Sequence, residues 1–402
     1  MPIIGRFVTR RRFAGQCVAW AAAPLLQRAA KAQARLTVPD PTREQPIKFV
    51  REFTNAYTVA VSPDGERICL YFTRHPHVTF TFHNGKWVGA DAAAHDRLLG
   101  VMELDGWKGR YSTQLLEVPA GASFFADGDR LHVETQLIPI SFKTRQEAIV
   151  DLRTDSLQNR IRTYDRTIYS ALENNTLLGF SYDEKSRGIA LFRAELPDYQ
   201  ETLRVPFAAH SDAKDLRLRS LVLTADRKVF AYGFDHTIVC RRTGGLDVIW
   251  TRQVAPELPY GIGRLAISAD GSRAAAAVVD MTFLDTQKQF YVEVYAGRDG
   301  ATIARLPVNG YQALALSPRG DLLAVGTRVP DTRTRDILLG LEVYKVETGR
   351  MIGSALHSRI PQGRFQNLDA SFAVHGVEFL SGGRFVVTSD NSAVRVWDLG
   401  RG

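Results

Sequence analysis

Histidines give this chain its most direct spacing for chemistry. Four of its nine histidines fall in one short stretch: His75, His77, His83 and His95. His75 and His77 would point to the same side of a strand, as two metal ligands can. However, Pro76 lies between them and disrupts regular strand pairing, and the spacing fixes no third ligand. A metal site at His75 and His77 is therefore one hypothesis, and an exposed polar loop without a cofactor is the simpler one.

Familiar catalytic motifs are absent from the sequence. It contains no Gly-x-Ser-x-Gly elbow, no glycine-rich phosphate loop and no Cys-x-x-Cys pair. Carboxylates are plentiful, but no spacing brings two of them to one pocket. We therefore predict no catalytic residues from the sequence.

The N-terminus resembles a twin-arginine export signal, in which a hydroxyl residue, two arginines, any residue and a phenylalanine follow one another. Here Arg10, Arg11 and Phe13 match that pattern, and a weakly apolar run broken by Pro24 follows. Cleavage after a small-x-small site is expected where Ala32 and Ala34 flank Gln33. The resemblance implies folded export by the twin-arginine machinery to the periplasm or exterior of a bacterial cell. A general secretory signal and a cytoplasmic protein with a helical N-terminus are the alternatives.

The charge balance depends on that signal. Residues 1–34 hold six of the 51 basic residues and no acidic residue, so residues 35–402 carry 45 basic and 43 acidic residues. We see no clear basic patch or stripe in this part, so we expect no nucleic-acid partner. No later apolar run reaches 18 residues, so we expect no stable membrane insertion. The remaining cysteines, Cys69 and Cys240, lie in apolar runs typical of buried strands.

An internal repeat indicates the fold. One unit recurs, consisting of an apolar strand, a tight turn rich in Ser, Pro, Asp and Gly, and a second apolar strand. Four clear copies and three weaker ones are Tyr57–Leu70, Leu265–Ala274, Ala313–Val325, Val377–Val387, Ser123–Leu131, Ala171–Leu178 and Leu221–Val229. Their turns centre on residues 65, 128, 175, 227, 271, 320 and 383, and most of the steps between them fit the length of a propeller blade. The pattern predicts an all-β, seven-bladed β-propeller, with a pair of β-sandwiches or a six-bladed ring as alternatives.

The later part of each unit carries a family resemblance. Residues 392–399 resemble the closing strand of a WD-repeat blade, including the Trp397–Asp398 pair, and Glu347-Thr348-Gly349 is similar to that family's turn. Exported propellers of the quinoprotein amine dehydrogenase β-chain type share such blade repeats. This chain matches none of their catalytic or cofactor motifs. The resemblance covers about residues 47–402 and implies the architecture only.

The chain ends imply how the ring closes. The last unit ends after three strands, and residues 46–53 form an alternating apolar segment ahead of the first unit. Pairing residues 46–53 with Val394–Leu399 would complete the last blade and hide two sheet edges. The predicted organisation is therefore a signal peptide over 1–34, an arm over 35–45 and a propeller over 46–402.

Two insertions are the candidate binding surface. Arg74–Arg97 contains a predicted hairpin with Asn84-Gly85 at its turn, and Met351–Val374 leads into the last blade. Closure would make the first and last blades neighbours, so the insertions could form one composite surface. The candidate anchors are Trp87, Arg364, Phe365 and Tyr71, with Tyr71 the weakest because its strand position indicates the core.

These observations favour a non-enzymatic, exported binding or scaffold propeller for a protein, peptide or envelope glycan. The alternative is an exported enzyme, or an accessory subunit of an oxidoreductase complex, with its active centre at the axial channel. Twin-arginine export slightly favours that alternative, because proteins loaded with a cofactor often fold before export.

Overall fold

In the computed structural model, 28 of the 30 described strands form a seven-bladed β-propeller, and the other two form an inserted hairpin. The structure describes residues 47–54, 56–73, 80–83, 86–89, 97–114, 118–136, 144–163, 168–171, 175–183, 188–196, 200–206, 218–234, 236–254, 262–278, 290–308, 313–331, 333–334, 336–361, 374, 376–390 and 393–400. The residues of the predicted export signal, Arg10, Arg11 and Phe13, and of the predicted cleavage site, Ala32 and Ala34, lie outside these ranges.

Each blade is one four-stranded antiparallel sheet. Blades 1 to 3 are formed in chain order by β2 (Ala56–Val61), β3 (Arg67–Thr73), β6 (Arg97–Glu103) and β7 (Lys108–Gln114); β8 (Val118–Phe124), β9 (Arg130–Gln136), β10 (Thr144–Asp151) and β11 (Ser156–Thr163); and β12 (Ile168–Ala171), β13 (Thr176–Asp183), β14 (Gly188–Glu195) and β15 (Gln200–Pro206). The inserted β4 (Phe80–His83) and β5 (Lys86–Gly89) pair only with each other within the described residues.

Blades 4 to 7 follow the same plan. Their strands are β16 (Leu218–Leu223), β17 (Val229–Phe234), β18 (Thr237–Arg242) and β19 (Val248–Gln253); β20 (Ile262–Ile267), β21 (Arg273–Val278), β22 (Phe290–Ala296) and β23 (Thr302–Val308); β24 (Ala313–Leu316), β25 (Leu322–Pro330), β26 (Ile337–Lys345) and β27 (Arg350–Ile360); and β28 (Gly376–Leu380), β29 (Phe385–Ser389), β30 (Ala393–Asp398) and β1 (Lys48–Thr54). Short 3₁₀ turns occupy Asp105–Trp107 and Ser381–Gly383.

The N-terminal strand closes the ring. β1 pairs antiparallel with β30 from Lys48 opposite Asp398 to Thr54 opposite Ala393, so the predicted closure is confirmed with a shift of one or two residues at its ends. The rings of Phe49 and Trp397 pack edge to face, with 5.7 Å between their centroids. Arg395 Nε also donates to Glu52 Oε2 at 2.6 Å. β1 therefore covers the strand edge that the last blade would otherwise expose.

Hydrophobic clusters join every pair of neighbouring blades. Ile68 and Leu70 of blade 1 pack with Val387 and Val396 of blade 7, which seals the ring. The other six interfaces hold the clusters around Val101, Phe125, Tyr232, Trp250, Leu316 and Val343. Seven interfaces and seven four-stranded sheets confirm the seven-bladed prediction. Burial of apolar side chains between blades is what stabilises the ring, because each sheet alone leaves both faces uncovered.

The repeated turns form as their residue types predict. All seven predicted turn positions have positive φ: Gly65, Gly128, Asn175, Arg227, Gly271, Gly320 and Gly383. In four blades a hydroxyl residue opens the turn. In blade 5, for example, Ser268 Oγ donates to Asp270 Oδ1 at 2.7 Å and accepts from the backbone N–H of Arg273 at 3.0 Å. These local bonds close the turn, and the Asp270 N–H adds a bond to the Pro318 carbonyl of the next blade at 3.1 Å.

Gly297 shows how closely the turns of one blade approach each other. It follows β22, and its N–H donates to the Ser272 carbonyl at 2.8 Å. A Cβ built on Gly297 would lie 1.7 Å from the carbonyl oxygen of Gly271, an impossible approach between non-bonded atoms. The neighbouring blade is tied to the same turn, because Trp250 Nε1 donates to the Gly297 carbonyl at 2.7 Å.

The two cysteines within the described residues are buried free thiols. Cys69 is fully buried in the cluster between blades 1 and 2, and Cys240 is buried between blades 4 and 5. Burial raises the pKa of each thiol, to about 12 for Cys240. The expectation that both act as small apolar core residues is confirmed.

Candidate functional site

The sequence-predicted binding residues fall into two groups. Trp87 lies on β5 of the inserted hairpin, opposite Phe82, so the predicted hairpin is confirmed in its backbone. Its side chain lies outside the described part of the chain. The same holds for Arg364 and Phe365, and for the metal-ligand candidates His75 and His77, so the structure tests none of these roles.

Tyr71 has a different environment from the one a binding anchor needs. Its side chain is 2% exposed and packs with Leu99 and Leu131 in the cluster between blades 1 and 2. The ring therefore contributes to the core and presents almost no surface to a partner. We accordingly omit Tyr71 from the binding surface proposed below.

The second insertion is shorter than the sequence suggested. Met351–Ile360 belongs to β27, the eleven-residue outer strand of blade 6, and does not form a loop. The sequence pattern missed this because the strand carries a mixture of polar and apolar residues in place of a clean alternation. Its buried positions include His357, which the sequence placed in a recognition loop.

His357 belongs to a buried polar network between blades 6 and 7. Its Nδ1 lies 2.8 Å from Thr388 Oγ1, and its Nε2 faces Asp390 Oδ2 at 3.1 Å. Trp397 Nε1 donates to the same Thr388 oxygen at 2.8 Å. A carboxylate beside Nε2 favours the proton on that nitrogen, which leaves Nδ1 to accept from the threonine hydroxyl. The network is therefore an internal tie, since all four side chains are buried.

Strand order determines the face from which the insertions leave. Successive strands of a blade are antiparallel, so the first turn of every blade lies on one face of the ring, which we call the turn face. The connections from second to third strand, and from one blade to the next, lie on the opposite face. Thr73 and Arg97 flank the first insertion, and Ile360 and Gly376 flank the second. Both pairs of strand ends therefore lie on this opposite face, which we call the insertion face.

Blade 6 has long strands that end on the insertion face. β25 and β26 have nine residues each, compared with eight or fewer in the other blades. On β27, Arg359 Nη2 lies 3.7 Å from Asp331 Oδ2, and Arg359 Nη1 lies 3.5 Å from Asp336 Oδ2. The two aspartates flank the turn between β25 and β26. Such half-exposed pairs contribute little stability, but they orient the edge of the blade.

A cavity of about 420 Å³ lies on the channel axis toward the turn face. The first strands and first turns of blades 1, 2, 4, 5, 6 and 7 contribute described residues to its lining, most of them small or aliphatic. The charged lining residues are Asp64, Arg227 and Glu378. Asp64 is engaged in its own turn, where its Oδ1 accepts from Ser62 Oγ and from the Glu66 N–H.

Arg227 reaches across the interior of the ring. It occupies the first turn of blade 4, yet its Nη2 donates to the Phe124 carbonyl of blade 2 at 2.9 Å. Blade 3 lies between these two blades, so the side chain spans part of the channel. Burial lowers the pKa of Arg227 to about 10, and the charges of Glu378 and Asp226 oppose that decrease. The guanidinium therefore remains charged at neutral pH.

Glu378 faces the same cavity from blade 7. It lies on β28 between Val377 and Phe379, both of which are buried against blade 6. Water reaches the side chain from the channel, but protein crowds the carboxyl group and raises its pKa to about 7. The charge of Arg227 opposes this increase. Among the described residues no ion pair within 4.0 Å joins Arg227 to Glu378, so each charge faces the cavity without direct neutralisation by the other.

The sequence carries a signal for both residues in the positions where it departs from the repeat. Five of the seven positive-φ turn positions are glycine, and Arg227 is the charged exception. Glu378 lies five residues before its turn glycine, a place occupied in other blades by small or aliphatic residues: Ala60, Ser123, Ser170, Val222, Ala266 and Ala315. Departures from the repeat therefore mark the cavity charges.

The described residues lack two further features. They contain no helix long and apolar enough to cross a membrane. They also contain no group of three or more His, Cys, Asp or Glu side chains placed to hold a metal ion.

Comparison with known proteins places the chain by fold. No protein-family model and no curated protein matches the sequence. Among solved structures, the β-propeller domain of Cps50 (Swd1) from Myceliophteria thermophila is similar, with a TM-score of 0.55 and 10% identity over 87% of this chain and 99% of that one. A chain of the mitotic checkpoint complex is also similar, with a TM-score of 0.54 and 13% identity over 97% of this chain and 99% of that one. At these identities the likeness shows the fold alone, a β-propeller.

Proposed function

We propose that this protein is an exported, non-enzymatic scaffold that binds a protein or peptide through its insertion face. The observation that supports the proposal is the placement of four strand ends. Thr73 and Arg97 of blade 1 lie on the same face of the ring as Ile360 and Gly376, which flank the link between blades 6 and 7. Blades 6, 7 and 1 are consecutive around the ring.

Rigid scaffolds favour binding by the loops they carry. A closed ring fixes the ends of both insertions, so less conformational entropy is lost when the insertions engage a partner. Trp87, Arg364 and Phe365 are of the residue types that dominate protein interfaces. The mitotic checkpoint complex chain shares the architecture and is part of an assembly, which is consistent with a scaffold role here.

Export is part of the same proposal. The match of Arg10, Arg11 and Phe13 to the twin-arginine pattern supports a route that carries folded proteins, with the twin-arginine machinery as a transient partner. Pairing of β1 with β30 gives a physical reason for that route, because the ring closes only when both ends of the mature chain are present. The proposed location is the periplasm or the cell exterior.

Site-specific photo-crosslinking in intact cells tests the binding surface. A photoreactive residue at position 87 or 364 should give an adduct with a second protein, and the same residue at exposed position 298 on the turn face should not. Protease treatment should remove the adduct. An adduct that glycosidases remove would point to an envelope glycan, and adducts formed only from position 298 would refute the insertion face as the binding surface.

A further inference from the structure

We propose that the axial cavity binds a small zwitterion, whose carboxylate pairs with Arg227 and whose ammonium pairs with Glu378. This site is distinct from the insertion face, because the residues lining the cavity lie on the first strands and first turns of the blades. The proposal does not depend on the scaffold function, and either could fail without the other.

Charge placement is the first argument. One fixed cation and one fixed anion from non-adjacent blades line one cavity, and each is close enough to alter the pKa of the other. They do not meet as an ion pair within 4.0 Å. Each charge therefore lacks a direct partner of opposite sign among the described residues of the cavity, and a ligand carrying the two opposite charges would compensate both at once.

Backbone conformation is the second argument. Arg227 has a φ of +57°, a conformation that is unfavourable for a residue with a side chain and that five other blades fill with glycine. Strain retained at one repeat in a ring of similar repeats points to a role for that side chain. Here the strained position sends a guanidinium across the channel to Phe124.

The dimensions of the cavity restrict the ligand. Small-molecule sites usually have volumes of about 300–1,000 Å³, and this cavity, at about 420 Å³, is near the lower end. The remaining lining is mostly small or aliphatic, with Asp64 held in its own turn. An amino acid, or an ω-amino acid with a short methylene chain, fits these requirements.

Calorimetric titration of the purified mature protein tests the site. Glycine, β-alanine and 4-aminobutyrate separate the same two charges by increasing distances, and at least one of them should bind saturably. Acetate and methylamine each carry one of the charges and should bind at least about tenfold more weakly, since each leaves one protein charge unpaired. No saturable binding at millimolar concentrations, or equal binding of the singly charged probes, would overturn the proposal.

Matched variants assign the two charges. Arg227→Asn removes the cation and keeps a residue that tolerates positive φ, and Glu378→Gln removes the anion with little change of volume. Each should weaken binding of the best zwitterion at least about tenfold, because one ion pair is lost. Arg242→Gln removes an exposed arginine from the same blade and should leave binding unchanged. Equal binding by all three variants would place the ligand elsewhere. If Arg227→Asn fails to fold, the comparison of zwitterions with singly charged probes on the unmodified protein still tests whether both charges are needed.

The pH dependence distinguishes a zwitterion from a simple carboxylate. The ammonium needs Glu378 ionised, and the ionised fraction of a carboxyl group with a pKa of about 7 rises about tenfold from about pH 6 to about pH 8. The other charged lining residues are Asp64 and Arg227, and the Arg227 guanidinium keeps its charge over this range. Affinity should therefore rise by up to about tenfold in the unmodified protein and stay flat in Glu378→Gln. A fall with rising pH would indicate a carboxylate that binds protonated Glu378 and would refute the zwitterion.

Discussion

Replacement of Thr388 by valine tests the buried network between blades 6 and 7. The Thr388 oxygen accepts from Trp397 Nε1 and contacts His357 Nδ1, both at 2.8 Å. Thr388 is fully buried, and the residues Trp397 and His357 are 5% and 4% exposed. Valine keeps the shape of threonine but offers neither partner a polar atom. Two buried polar groups would then lose a hydrogen bond without gaining water.

The expected magnitude follows from those two losses. An unsatisfied buried donor or acceptor costs about 1–3 kcal/mol, and the added methyl group returns up to about 1 kcal/mol. A net loss of about 3 kcal/mol is therefore expected. For a ring of roughly 350 residues, with an unfolding entropy of about 2.1 cal/mol/K per residue, this lowers Tm by about 4 °C.

Scanning calorimetry of three variants provides the measurement. Thr388→Ser keeps the hydroxyl group and loses one methyl group, so it should cost only about 1 kcal/mol, or about 1–2 °C. Thr302→Val makes the same chemical change at an exposed position of blade 5 and should leave Tm nearly unchanged. If Thr388→Val unfolds at the same temperature as Thr302→Val, the network does not stabilise the interface and the reasoning is wrong.

Three further predictions address packing, closure and export. Gly297→Ala should lower Tm strongly, because the new Cβ would lie 1.7 Å from the Gly271 carbonyl oxygen, whereas a Cβ on Gly244 meets open space and Gly244→Ala should be nearly neutral. Equal melting temperatures of the two variants would contradict the close approach of the turns at Gly297. Deleting residues 35–53 should cause aggregation or loss of cooperative unfolding, since it removes most of β1, the strand that closes the ring. A deletion variant that remains monomeric in size-exclusion chromatography would show that the ring is stable without β1. The double variant Arg10→Lys, Arg11→Lys should leave the precursor in the cytoplasm, because lysine keeps the positive charge but not the guanidinium group. If cell fractionation shows unchanged export, the general secretory route is favoured.

The sequence by itself determined the repeat. Each first turn depends on residues within a few positions of one another, such as Ser268, Asp270 and Gly271, so its chemistry can be read locally. The closing strand was also predictable, because an alternating apolar segment at one end complemented a blade with three strands at the other. The limits of β27 were not predictable, since its mixture of polar and apolar residues forms a strand only through pairing with β26.

Tertiary structure decided which side chains meet. His357 reaches Thr388 across 31 positions, and Arg227 reaches Phe124 across 103. Local spacing cannot encode such contacts, because they depend on the rotation between blades and on the number of blades in the ring. The environment of Glu378 has the same origin: a channel exists only after seven sheets close, and the protein surrounding it then raises the pKa of that carboxyl group. The repeat thus specifies the ring, whereas the pKa values and contacts of residues that depart from the repeat, such as Arg227 and Glu378, are set by their surroundings in the closed ring.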